Sequence, residues 1–144
     1  MMPTADYVQR EVVLPVPPEE AWDALVKPSE LEAWLADAVD SDGDLDAGSS
    51  AVFTLADGDV RHVVVEDVEE PRRVAWRWST DGDDESTLVE LTLEEIEGGS
   101  ILRVVESGFE ALSVEARTLR QASAVGWGPR MLACAAHVGA LAYA

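Results

Sequence analysis

The chain has 144 residues, of which 29 are acidic and 10 basic, giving a formal net charge of −19. This length suits one domain around one core, and a hydrophobic share of 47% excludes a disordered acidic tail. So acidic a protein is also a poor partner for nucleic acid or an anionic membrane, because both require a basic surface. We therefore expect a single domain spanning residues 1–144.

Cysteine content and N-terminal sequence predict a cytoplasmic protein. The single Cys134 excludes an internal disulfide, which is typical of a reducing compartment. Residues 1–6 show neither the basic nor the apolar region of a signal peptide, and no apolar run approaches the roughly 18 residues of a membrane span. The acidic bias itself indicates either a GC-rich genome, in which lysine and isoleucine codons are rare, or adaptation to high salt.

The N-terminal part predicts a strand followed by two short helices. Alternating apolar residues indicate a first strand at Tyr7–Val16, which the following prolines end. Pro18 suits the first turn of a helix. Ser29 is a suitable N-cap for a second short helix that contains Trp34.

Between about residues 38 and 107 the apolar residues alternate with a period of two, which predicts strands. Short turns rich in Gly, Asp and Pro separate these runs and favour an antiparallel meander. The acidic segments 40–46 and 81–85 are interpreted as solvated loops; the first lacks the glycine and glutamate that a calcium-binding loop requires. The predicted strands are Ser50–Leu55, Val60–Val68, Arg73–Ser79, Ser86–Ile96 and Ser100–Glu106.

After Phe109 the apolar period becomes helical again. Ser113 is a suitable N-cap for a helix that runs to about Leu141 and is broken or kinked at 126–129, since Pro129 cannot donate to a helical carbonyl. An amphipathic helix and a sheet with one apolar face pack most simply as two layers. The stripe expected to face the sheet consists of Met131, Leu132, Ala135, Val138 and Ala142.

Several segments, in this order along the chain, resemble one family. They are REVVLPVPPEEAW at 10–22, LEAWL at 31–35, EPRRVAW at 70–76, VVESGF at 104–109 and GW at 126–127. Together they resemble the START-like (Bet v 1-like, SRPBCC) superfamily, in particular the bacterial branch named after the activator of the ninety-kilodalton heat-shock protein's ATPase. Glu70 departs from the family pattern, which has proline there.

This resemblance covers about residues 7–140 and implies an α+β helix-grip fold. In that fold a curved antiparallel sheet and two short helices surround a long, kinked C-terminal helix. It also implies an apolar cavity between the sheet and that helix.

Glu106 is the main ionisable candidate for a functional role. It alternates with Leu102 and Val104, so the pattern predicts that its carboxylate faces the apolar interior. A carboxylate there could act as a general acid or base, or accept a hydrogen bond from a ligand hydroxyl or amine. The structural alternative is a strand-end carboxylate that bonds backbone N–H groups where the chain turns at Ser107–Gly108.

Aromatic residues predict either the lining of a pocket or a filled core. Trp76 and Trp78 share one strand face, whereas Trp34 and Trp127 come from the helices expected to cover it, with Trp34 closing the mouth of the cavity. His62 alternates with valines and either faces the cavity or lies at the surface. The residues expected to line the cavity are Trp34, Phe53, His62, Trp76, Trp78, Glu106, Trp127 and Met131.

Taken together, the sequence favours a cytoplasmic binding protein for a small hydrophobic or amphipathic molecule, a monomer or homodimer without metal or cofactor. One alternative is an enzyme of the same fold, of the cyclase, dehydratase or hydrolase type, that uses Glu106 with His62 or a bound water. Another is an interaction module that modulates a chaperone ATPase. The enzyme requires a second polar group within hydrogen-bond reach of Glu106, the binder only a lined cavity, and the module a complementary surface.

Overall fold

An antiparallel sheet dominates the fold, which we analysed in a computed structural model that describes residues 7–80 and 85–142. Over these residues the strands lie in the spatial order β1-β7-β6-β5-β4-β3-β2, and each is antiparallel to its neighbours. Their bounds are β1 Tyr7–Leu14, β2 Ala38–Ser41, β3 Ser50–Thr54, β4 Val60–Glu69, β5 Arg73–Thr80, β6 Ser86–Ile96 and β7 Gly99–Ser107.

Six of these seven described strands match the predicted ones within two residues at each end. The exception is β2, which overlaps the predicted acidic loop 40–46 and pairs with β3 at the edge of the sheet. A short edge strand with exposed polar residues carries little apolar alternation, so its pattern resembles that of a loop. Most of the other predicted acidic loop, residues 81–84, lies outside the described residues.

The helices follow the predicted order, but the first of the two predicted short helices is divided into two, and not every boundary agrees. Their bounds are α1 Pro18–Ala21, α2 Asp23–Val26, α3 Pro28–Trp34, α4 Val114–Ala124 and α5 Trp127–Ala142. Ser113 Oγ accepts a hydrogen bond from the backbone N–H of Ala116 at 3.3 Å, which confirms the predicted cap. The cap predicted at Ser29 is wrong: Pro28, whose fixed φ suits the first helical position, begins α3 and leaves Ser29 inside the first turn.

The predicted break in the C-terminal helix is confirmed between Ala124 and Trp127. Because the break comes first, Pro129 lies in the first turn of α5, where its missing N–H costs no helical hydrogen bond. None of the helices in the described part of the chain combines the length and apolar character needed to cross a bilayer.

The buried stripe of α5 is rotated relative to the prediction. Met131 and Val138 are buried and Ala135 is half-buried, as expected, but Leu132 is 68% exposed. The buried positions follow Trp127 at helical intervals, and Leu132 lies about 100° around the helix from Met131. Cys134 takes the predicted place of Leu132 in the core, and burial raises the pKa of its thiol to about 12.

Candidate functional site

The Glu106 carboxylate lies at the centre of a buried cluster of hydrogen bonds. Its side chain is on the inner face of β7 with Leu102 and Val104, as predicted, and the residue is only 2% exposed. One oxygen, Oε2, accepts from Trp78 Nε1 at 3.0 Å and from Thr87 Oγ1 at 2.6 Å. The other, Oε1, accepts from Trp127 Nε1 at 2.9 Å. Neutral side-chain donors thus surround a buried carboxylate, and the predicted alternative of a strand-end group bonded to backbone N–H groups does not describe these contacts.

Aromatic rings fill the space around this carboxylate. Trp78 and Trp127 stack with their ring centroids 5.7 Å apart and their planes at 22°. Trp76 meets Trp78 edge-on at 5.9 Å and Phe53 at 5.7 Å. All four rings are buried, so in this conformation the region between sheet and helix is occupied by side chains in mutual contact.

One polar atom in this aromatic cluster has no partner. The indole nitrogen of Trp76 is buried and has no hydrogen-bond acceptor within the described residues. An unsatisfied buried donor costs about 1–3 kcal/mol, and native proteins contain few of them. The Trp76 N–H is therefore a buried donor that could bond an acceptor from outside the described protein atoms.

Two arginines lie over the faces of the stacked tryptophans. The Arg61 guanidinium is 4.6 Å from the centroid of the Trp78 ring, and the Arg130 guanidinium is 5.2 Å from that of Trp127. Such geometry is typical of cation–π attraction. Arg61 is buried and also bonds Asp59 and Ser123, both at 2.8 Å.

A third arginine supports the other side of the cluster. Arg120 on α4 is buried, and it donates to the carbonyl oxygen of Trp78 at 3.0 Å and to Thr80 Oγ1 at 3.0 Å. It also lies 3.4 Å from Thr87 Oγ1, the hydroxyl that bonds Glu106. Arg120 therefore links α4 to the two strands that carry the donors of Glu106.

The structure places His62, one of the residues expected to line the cavity, outside the buried cluster. Its side chain is exposed on the outer face of β4, where it lines a surface pocket of about 390 Å³. Both registers of β4 contain valines, so alternation alone could not decide between them. Pairing with β5 decides it: Val63 lies opposite Trp78 and Val65 opposite Trp76, which places Arg61, rather than His62, on the inner face.

The other predicted residues are all buried, but they do not form one group. Phe53, Trp76, Trp78, Glu106 and Trp127 are in contact, as described above, and Met131 is buried on α5. Trp34 is held within the short helices, where its Nε1 donates to the carbonyl oxygen of Ala24 at 2.8 Å. It lines a surface pocket of about 150 Å³ together with Arg130.

Sequence reasoning missed Thr87 and the three arginines. Thr87 lies two residues before Val89 and four before Leu91, on the same face of β6, so the strand pattern contained a signal for its inward position. Arg61 shares a face of β4 with Val63 and Val65. Because arginine is rarely buried, its presence indicated that this face was the outer one. Arg120 and Arg130 lie on helices, and nothing local in the sequence indicates that they reach the cluster.

The fold is similar to that of several solved structures. DynU16, a protein of the dynemicin biosynthetic locus, is 25% identical with a TM-score of 0.77; the match covers 94% of this chain but 48% of DynU16, so the chain spans about half its length. Protein MLL2253 from Mesorhizobium loti is 23% identical with a TM-score of 0.78, covering 92% of this chain and 96% of that one. The Aha1 dimer from Colwellia psychrerythraea is 17% identical with a TM-score of 0.71, covering 88% and 90%.

These likenesses establish the helix-grip α+β fold expected from the sequence. No curated protein matches the sequence. A protein family does match it, over residues 15–131, and its description is "Activator of Hsp90 ATPase homolog 1-like protein". Since the match covers most of the chain, this protein belongs to the activator of Hsp90 ATPase homolog 1-like family, a branch of the START-like superfamily that its sequence resembles.

Proposed function

We propose that this protein is a cytoplasmic binder of a small apolar or amphipathic molecule, held between the sheet and α5. Glu106 and Trp127 line the site, and Trp34 lies at its mouth. The observation that carries the proposal is the unpaired Trp76 N–H inside an otherwise hydrogen-bonded polar cluster. A ligand oxygen placed there would accept this hydrogen bond and remove the cost of burying the donor.

The chemistry of the interior supports binding over a purely structural core. A core needs no carboxylate, yet here a buried carboxylate is surrounded by two indole N–H groups and a hydroxyl. Small-molecule sites are typically apolar and aromatic, with a few convergent polar groups that orient the ligand. The cluster around Glu106 has this composition.

Trp127 is the residue best placed to make room for a ligand. It begins α5 directly after the break, between Gly126 and Gly128, and a Cβ added at Gly128 would meet no heavy atom within 4 Å beyond its chain neighbours and its own helix backbone. Displacing its ring would open the stack on Trp78 and release one donor of Glu106.

Two measurements test this proposal. Native mass spectrometry of the purified protein should detect a co-purifying small molecule, which would identify the ligand class directly. The neutral fluorescent probe phenylnaphthylamine should bind wild type, and Trp127→Ala should weaken its binding by about 1–3 kcal/mol, the range for one large buried apolar side chain. Trp22→Ala is the matched control, because Trp22 is a buried tryptophan that, within the described residues, forms neither a ring contact nor a hydrogen bond with the Glu106 cluster, so its loss should affect stability alone. Equal binding by both variants and wild type would place the site elsewhere.

An enzyme using Glu106 is a second candidate, and the position of Thr87 favours it. The Thr87 hydroxyl, 2.6 Å from the carboxylate and close to Arg120, is the second polar group that such an enzyme requires. His62 is exposed on the outer face and so does not supply it. Conversion of the co-purified molecule by wild type, lost in Glu106→Gln while binding persists, would favour the enzyme; binding without conversion would favour the binder.

The family description and four exposed side chains favour a third candidate, a module that acts on a chaperone ATPase. Large apolar residues on α4, on α5 and between them are 64–75% exposed: Val114, Leu119, Val125 and Leu132. Hsp90 ATPase activity should rise on adding this protein, and Leu119→Glu should reduce the effect. The solved Aha1 neighbour is a dimer, so light scattering should accompany the assay to decide between a monomer and a homodimer.

A further inference from the structure

Arg130 is a partly buried arginine whose guanidinium has no hydrogen-bond acceptor within the described residues, whereas Arg72, which likewise has none there, is exposed. Within the described residues the Arg130 guanidinium donates no hydrogen bond and forms no ion pair, and it lies over the face of Trp127. By contrast, Arg61, Arg73 and Arg103 each bond at least one carboxylate. In a chain with 29 acidic residues, an unpaired and partly buried arginine is unexpected.

The surroundings of Arg130 leave its positive charge poorly compensated. Burial lowers the pKa of its guanidinium, and the nearby positive charge of Arg61 lowers it further. Glu106, Asp57 and Asp59 act in the opposite direction through space, but none of them bonds it. Arginine remains protonated despite such shifts, so the cation has lost water without gaining a hydrogen-bond acceptor. It also lies in the first turn of α5, where the helix dipole does not stabilise a positive charge.

Arg130 lies between the surface and the buried cluster. On one side its guanidinium stacks over Trp127, whose indole bonds Glu106. On the other side it lines the pocket of about 150 Å³, whose apolar walls include Trp34, Leu35 and Ala56. We call this the Arg130 pocket. A charged group bound there would leave the apolar part of the same molecule facing Trp34, and it would reach the buried Trp127 ring once that ring is displaced as proposed above.

The Arg130 pocket also contains two carboxylates, which limit the charge of its occupant. Glu32 already accepts a hydrogen bond from the backbone N–H of Val39 at 2.8 Å, and Asp37 is exposed. The guanidinium can pair with one anionic group, and the two carboxylates and the net charge of −19 repel every further negative charge that the molecule carries.

We propose that the ligand is an amphipathic monoanion, such as a monocarboxylate, whose acidic group pairs with Arg130 and whose apolar part contacts Trp34 and Trp127. This inference rests on the proposed binding function and specifies the class of ligand. A guanidinium can bind a carboxylate through two parallel hydrogen bonds, which fixes the orientation of the molecule as well as holding it.

Two probes with the same rings separate the charge contribution from the apolar one. Anilinonaphthalene sulfonate carries one negative charge, whereas phenylnaphthylamine is its neutral counterpart. Both would be titrated by fluorescence into wild type, Arg130→Gln, Arg130→Lys and Arg10→Gln. The last removes the same charge from an exposed arginine on β1 whose side chain, within the described residues, bonds the carbonyl of Gln9 alone, and it therefore serves as the control.

We expect Arg130→Gln to weaken sulfonate binding about ten-fold or more, as is usual for losing a hydrogen bond to a charged group, with less than about three-fold effect on the neutral probe. Arg130→Lys should retain part of the affinity, and Arg10→Gln should match wild type. Decanoate should displace the sulfonate from wild type at lower concentrations than decanol does.

The possible failures are distinguishable. If the neutral probe binds but the sulfonate binds wild type, Arg130→Gln and Arg10→Gln equally, the role of Arg130 is wrong and the binding function stands. If neither probe binds a folded wild type, as judged by thermal unfolding, the binding function fails and this inference fails with it.

Discussion

Glu106 and Glu90 lie on neighbouring strands and face opposite sides of the sheet. Glu90 on β6 is half-exposed and bonds Arg73 at 2.7 Å, and Arg73 in turn bonds Asp67 at 2.6 Å. Glu106 on β7 is almost fully buried, and its three hydrogen-bond donors in the described part of the chain are neutral side chains. The same residue type is thus held by a cation near water on one face and by neutral donors away from water on the other.

This difference determines how much each carboxylate contributes to the free energy of unfolding. On the outer face water can replace a lost partner, so an exposed ion pair contributes about 0.2–1 kcal/mol. On the inner face burial keeps bulk water from replacing a lost partner, so removing the acceptor leaves buried donors unsatisfied at about 1–3 kcal/mol each. The tests below compare the two faces, starting with the largest expected effect.

Removing each carboxylate compares the faces directly. Glu106→Leu should destabilise the protein by about 3–5 kcal/mol, because two indole N–H groups and the Thr87 hydroxyl lose their common acceptor. Glu90→Leu should cost about 1 kcal/mol or less, since Arg73 keeps Asp67 as a partner. Urea unfolding of the two variants measures both values. If Glu106→Leu lowered the free energy of unfolding as little as Glu90→Leu is expected to, the Glu106 cluster would add little to stability.

A finer comparison within the inner face uses two tryptophans of β5. Trp78→Phe removes an indole N–H that bonds Glu106, whereas Trp76→Phe removes one without a partner. Both changes delete a similar volume from the core, so the hydrogen bond should make Trp78→Phe the more destabilising by about 1–3 kcal/mol. Chemical denaturation of the pair gives the difference directly. If Trp76→Phe lowered the free energy of unfolding more than Trp78→Phe does, Trp76 would have an acceptor in solution.

Salt should act on the outer face alone. Like charges in the acidic segments 37–46 and 66–70 repel one another, and 1 M salt shortens the screening length to about 3 Å. The melting temperature of wild type should therefore rise by about 2–4 °C in molar potassium chloride, equivalent to about 1 kcal/mol. The difference between wild type and Glu106→Leu should stay constant, because buried groups are screened little. An unchanged or lower melting temperature would mean that the acidic surface carries little repulsive energy.

Local patterns predicted most of the fold because each strand and helix repeats its own period. The alternation of Leu102, Val104 and Glu106 placed that carboxylate inside, and Gly126 with Pro129 located the break before α5. The patterns failed where two registers were equally apolar, as for His62 and Arg61 on β4. They also failed at Leu132, since the rotation of α5 about its axis depends on where the Trp127 ring is seated.

The sequence by itself determined the order of elements, the family and the inward direction of Glu106, since these depend on residues close together in the chain. Only the tertiary structure decided which groups surround that carboxylate. Its donors come from β5, β6 and α5, and the arginines over the stacked rings come from β4 and α5. These residues are far apart in sequence and meet only when the sheet pairs in one register and α5 packs across it. Hydrogen bonds and cation–π contacts act over a few ångströms, so their partners exist only after that packing.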